Sequence, residues 1–182
     1  MKTDYKNRTA IILKGKIEHE NSTEWLSWFQ FSKHLFESLV LPVTHYGVDG
    51  DDFRKVTGIR TAKRFEKKIY NSLLENHKIE YLELYHYPEN SLTIYPKNCL
   101  LYLSRHNDKT RNIGDIFFEF LSESISDDII DTLIDHLSKY IILTSGEVVE
   151  CISSYELLVN RLTNTYSEDE SKNIFNVRKT IP

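Results

Sequence analysis

The densest run of reactive side chains in this sequence is Ser104-Arg105-His106-Asn107-Asp108, which puts a hydroxyl, a guanidinium, an imidazole and a carboxylate side by side. At the end of a predicted strand such a group can support acid–base or nucleophilic chemistry, because loops mounted on a rigid scaffold carry most active sites. The plainer reading is that polar residues close a strand before the loop from Asn107 to Gly114 and need only solvent. Signatures that would favour chemistry are missing. No serine sits in a GxSxG elbow, and neither cysteine lies at a helix start or beside a histidine that would lower its pKa. Phosphate-cradling loops need clustered glycines, whereas this chain has six Gly and neither GxGxxG nor GxxxxGK[ST]. Its histidines, His19, His34, His45, His77, His86, His106 and His136, stand singly, with no HExxH, HxH or HxxxH spacing to place two imidazoles on one metal. No catalytic residue, cofactor or metal ligand is therefore expected.

The acidic residues point to binding instead. Asp49, Asp51 and Asp52 crowd a turn, and Glu123, Asp127, Asp128, Asp131 and Asp135 gather around and along one predicted helix. Asp127, Asp131 and Asp135, at i, i+4 and i+8, share a helical face, and their mutual repulsion costs helix stability that a basic partner would offset. A solvated face opposite an apolar stripe accounts for the same spacing. Tyr81, Tyr85 and Tyr87 share strand parity, with Tyr95 and Tyr102 on neighbouring strands, so one sheet face can carry a row of phenol rings. Such rows stack bases in RNA-binding sheets, and tyrosine is enriched at protein interfaces, although packing is the commoner cause. The basic cluster Arg60, Lys63, Arg64, Lys67 and Lys68 lies on a helix rather than beside that row, which weighs against RNA.

Composition sets the frame. The 182 residues are 40% hydrophobic and 27% charged with a net charge of −4, an ordinary globular balance that mildly favours a basic partner over nucleic acid. Cys99 and Cys151 sit in apolar runs, where free cysteine acts as a small buried hydrophobe. The charged start, Met1 to Arg8, has no signal-peptide core after it, and no apolar stretch nears the ~20 residues of a membrane span. A cytoplasmic location is expected.

The elements that must position these groups follow from periodicity. Residues 9 to 17 read as a strand rich in β-branched residues. Asn21, Ser22 or Thr23 can cap a helix whose apolar positions, Trp25 to Val40, recur at three- and four-residue spacing until Pro42. Val43 to Gly47 reads as a short strand, Gly47 to Asp52 as a turn, and Thr61 to His77 as a second helix. Ile79 to Tyr87, Ser91 to Tyr95 and Cys99 to His106 read as hairpin strands divided by Pro88-Glu89-Asn90 and Pro96-Lys97-Asn98. Ile116 to Leu121 is a further strand, Ser126-Asp127-Asp128 starts a helix running to Tyr140, Glu147 to Ile152 is a strand and Ser154 to Asn164 a last helix. The tail 167–182 is either an ordered edge segment or loose. This pattern gives a single α+β domain over 1–182, a mixed, mostly antiparallel sheet with helices packed on one face. The shared strand–helix–strand–helix order of the first and last thirds fits a degenerate β-α-β duplication.

In size, acidity, lack of motifs, AT-rich-type composition and the β-α-β pieces from Thr9 to Val48 and Ile116 to Ile152, the chain resembles the immunity proteins of bacterial polymorphic-toxin systems, including contact-dependent growth inhibition and type VI secretion. The resemblance implies tight one-to-one binding to a cognate toxin domain, by blocking its active site or an adjacent surface, and no catalysis. The residues expected to meet a basic toxin are Asp49, Asp51, Asp52, Asp127, Asp128, Asp131 and Asp135, with Tyr85 and Tyr87 as anchors. The alternatives are an enzyme built on Ser104 to Asp108, which needs a pocket joining Arg105 and His106, and an RNA-binding sheet.

Overall fold

The computed structural model describes residues 7–17, 22–54, 58–89, 99–108, 113–152 and 175–182. Their order is β1 (Asn7–Lys16), α1 (Ser22–Ser38), β2 (His45–Gly50), β3 (Arg60–Thr61), α2 (Ala62–Leu74), β4 (Ile79–His86), β5 (Leu101–Asp108), β6 (Ile113–Leu121), α3 (Asp127–Leu137), β7 (Ile142–Ile152) and β8 (Phe175–Ile181). The strands form one sheet in the order β3-β2-β4-β5-β6-β1-β7-β8, and every adjacent pair is antiparallel. The α+β class is as expected, with an antiparallel sheet in place of a mixed one. Among the described residues no helix is long and apolar enough to cross a membrane.

Strand alternation divides the molecule into two layers of packing. On one face Ile11 and Leu13 of β1, Leu82 and Leu84 of β4, Leu101 and Leu103 of β5 and Phe118 and Phe120 of β6 pack beneath the three helices, which supply Trp25, Trp28, Phe36, Ile69, Leu73, Leu133 and Leu137. On the opposite face Ala10, Ile12, Tyr85, Tyr102, Phe117, Val149 and Cys151 form a second, smaller core. Central β1 is thus apolar almost continuously because both of its faces are buried. Both cysteines are free and buried, as their apolar settings suggest.

Helix ends are closed by backbone geometry. At α1, Leu41 N–H donates to Phe36 O and Val40 N–H to Glu37 O, with Val40 in the left-handed region at φ 59, a Schellman motif that glycine usually completes. The end of α2 repeats the motif, His77 donating to Ser72 O and Asn76 to Leu73 O, with Asn76 at φ 61. Asparagine tolerates that conformation; a β-branched valine is strained in it. Ser126 does cap α3 in position, but through its carbonyl, which accepts from Ile129 and Ile130, and its side chain makes no cap bond.

Three expectations change with the tertiary contacts. Gly47 to Gly50 belongs to β2, and the turn begins at Asp51. β5 runs on through Asp108. The two strand–helix–strand units share an order but not a span, since β1-α1-β2 crosses β6, β5 and β4 while β6-α3-β7 crosses β1 alone. The tail is an ordered edge strand from Phe175 to Ile181. The strand expected at Ser91 to Tyr95 and the helix expected at Ser154 to Asn164 lie outside the described residues.

Candidate functional site

Because β5 continues to Asp108, alternation sends the members of the Ser104–Asp108 run to opposite faces of the sheet. Arg105 and Asn107 point into the helix-side core. Arg105 is fully buried, ion-paired with Glu24, donates to Tyr140 O at 2.7 Å and lies 4.4 Å from the Trp25 ring centroid. Burial works against its charge and pulls its pKa down to about 9, and the carboxylate and indole faces offset only part of that cost. Asn107 donates to Ile17 O at 3.0 Å. Both therefore join elements across the core. The pocket uniting Arg105 with His106, which the enzyme reading required, does not form, because a sheet separates the two side chains.

Ser104 and His106 face the other way and meet Glu83 of β4. Register places Glu83 beside Ser104 and Tyr81 beside His106, with Asp115 of β6 on the far side of His106. Glu83 accepts from Tyr85 OH at 2.8 Å and Tyr102 OH at 3.0 Å, and its Oε1 lies 3.3 Å from His106 Nε2. The carboxylate bends over β2 at Gly47, where any Cβ would overlap it, which is why a glycine interrupts that strand. Burial pushes the Glu83 pKa up, but His106 and the two phenols outweigh it and hold the carboxyl below its usual range. Burial likewise pulls His106 down, and the Glu83 hydrogen bond with the Asp115 and Glu83 charges leaves it raised. Asp115 is raised, chiefly by desolvation. With side-chain exposures of 37% for His106 and 18% for Glu83, the pair reaches solvent and can exchange a proton there. One row away Glu119 is ion-paired with Arg8 in the buried layer, and burial pushes its carboxyl to about 7. Among the described residues no three His, Cys, Asp or Glu side chains converge to hold a metal.

The phenol row exists but is packed away. Tyr85 and Tyr87 are each 3% exposed, Tyr85 lies 4.9 Å from Tyr102 and 5.7 Å from Tyr87 between ring centroids, and Tyr102 continues to Phe117 at 5.6 Å. The expected surface anchors Tyr85 and Tyr87 are thus core residues, and no stacking platform is open at them. Tyr95 lies outside the described residues.

The acidic groups also resolve into separate roles. Asp49 Oδ1 accepts from Gly50 N–H at 2.8 Å, Asp51 pairs with Arg54 at 2.9 Å, and Asp52 pairs with His77 at 2.6 Å, so the turn ties β2 to the end of α2. On α3, Asp127 is ion-paired with Arg178 and Asp131 with Lys179 at 2.7 Å. These neighbouring cations both reach the helix because β8 bulges where Val148 pairs with Lys179 but Val149 with Val177. The offset to like-charge repulsion that was expected from a partner is partly supplied by the chain's own edge strand. Left facing outward are Asp128, Thr132 and Asp135, flanked by Ile129 at 46% exposure.

No protein-family model, curated protein or solved structure matches this chain. Its functional reading rests on these residues. Glu83, Asp115 and Glu24 were not legible as site residues in the sequence; Glu83 carried a signal, as a carboxylate of the same strand parity as Tyr81 and Tyr85.

Proposed function

We propose that this chain is an immunity protein that binds a cognate bacterial toxin domain stoichiometrically and blocks its active site or an adjacent surface. The observation that carries the reading is the outer face of α3. It presents the Asp128 and Asp135 carboxylates beside the exposed apolar side chain of Ile129, on a helix fastened to the sheet by its buried stripe and by two ion pairs to β8. A rigid acidic face with an apolar anchor suits a basic protein surface, where charge complementarity speeds encounter and a few buried contacts supply affinity. The chain's net charge of −4 acts in the same direction. Most of the other acidic candidates are engaged internally, which narrows the expected contact to Asp128, Ile129 and Asp135.

The test is co-expression with the proteins encoded immediately upstream in the native host. The reading expects one of them to carry a C-terminal domain that arrests growth alone, is harmless when co-expressed with this chain, and co-purifies with it one to one. If every neighbour is harmless alone, or a toxic one is neither bound nor neutralised, the reading fails.

A further inference from the structure

Between α1 and α2 lies a groove of about 580 Å³, within the size range of small-molecule sites. Its walls carry three lysines, Lys33, Lys63 and Lys67, against two glutamates, Glu37 and Glu66, in a chain whose net charge is negative. Glu66 is already neutralised by Lys33, whose ion pair bridges the two helices. Lys63 and Lys67, one helical turn apart on α2, have no ion-pair partner among the described residues. Phe29 and Ala62 supply apolar lining and Tyr70 a half-open ring at the rim.

Behind Phe29, and outside the groove lining, stands Tyr46. It rises from β2 on the helix side, is fully buried, and its ring lies 5.9 Å from that of Phe29. Its hydroxyl has no hydrogen-bond partner among the described residues, and the charges that bear on it are Glu66 and Glu37, the carboxylates of the groove walls.

We propose that the α1–α2 groove binds a small organic anion, an aromatic body bearing a carboxylate, sulfonate or phosphate group. The flat body packs on Phe29, Ala62 and Tyr70, and the anionic head pairs with Lys63 and Lys67. The groove shares no lining residue with α3, so this proposal does not rest on the immunity reading.

The probe is 1-anilinonaphthalene-8-sulfonate, which joins an aromatic body to a sulfonate and fluoresces on leaving water. Titrated into the native full chain, it is expected to bind saturably at one site. The double variant Lys63→Glu/Lys67→Glu, altered at two exposed positions, should weaken it by about tenfold or more. Ala62→Trp, which fills the groove, should abolish binding, with an unchanged circular dichroism spectrum showing that the fold is retained. Benzoate or phenyl phosphate should displace the probe, the better competitor marking the preferred head group, while benzylammonium should not. No saturable binding, binding unchanged in Lys63→Glu/Lys67→Glu, or equal displacement by benzylammonium would overturn the assignment.

Discussion

Removing either partner of the Arg105–Glu24 pair should have unequal effects, because the two ends sit in different surroundings. Arg105 is fully buried between Trp25 and Trp28, whereas the Glu24 side chain is 25% exposed. Glu24→Ala leaves a desolvated guanidinium with Tyr140 O and two indole faces as its remaining support. Losing one member of a buried pair costs about 3–5 kcal/mol, and the partial exposure of Glu24 places this case near the lower end, about 3 kcal/mol. Arg105→Met removes the charge and fills the same space with an apolar chain, while Glu24 turns to water; the cost should be about 1 kcal/mol or less. In the double variant Glu24→Ala should then add almost nothing to Arg105→Met, giving a coupling of about 2 kcal/mol or more. Urea unfolding of the two single variants and the double variant measures all of these terms. If Arg105→Met proves costlier than Glu24→Ala, or the two effects simply add, Arg105 is not the desolvated structural cation described here.

Further expectations concern the other charged and strained positions. Val40→Gly, at an exposed left-handed position, should stabilise the fold by about 0.5–1 kcal/mol, the relief of about 1–2 kcal/mol of strain less the added freedom of glycine in the unfolded chain; a lower urea midpoint would contradict this. Glu119 ionises less readily folded than unfolded, so the folded state holds the extra proton and this contribution to stability is present at low pH and declines as pH rises from 4.5 to about 7. Unfolding measured across that range should show the decline in the native chain and a flatter profile in Glu119→Gln. By NMR the His106 imidazole should titrate above an ordinary histidine and move down in Glu83→Gln. Gly47→Ala, which pushes the Glu83 carboxylate aside, should lower the His106 pKa as well and destabilise by about 1–3 kcal/mol.

What the sequence disclosed depended on whether the deciding contacts were local. The stripes of α1 and α3 were legible because apolar residues at three- and four-residue spacing make one face whatever lies opposite. Arg105 was not legible as a core residue, since its partners Glu24 and Tyr140 are 81 and 35 positions away. The same holds within β5: Ser104 and His106 read as polar strand-closing residues until Glu83 of β4 is brought alongside them. Gly47 looked like turn chemistry, yet it marks the close approach of that carboxylate. The acidic face of α3 was foreseen, and its division into a half bound to β8 and a half facing solvent required the bulge that aligns Arg178 with Lys179.

The most direct test of the immunity reading is the affinity of the purified complex with the toxin domain for the Asp128→Lys/Asp135→Lys variant, read beside its thermal unfolding. The account predicts binding weakened at least tenfold, about 1.4 kcal/mol, with the unfolding temperature nearly unchanged, and loss of protection in cells expressing the toxin. Undiminished affinity would contradict the assignment of the α3 face as the contact with the toxin.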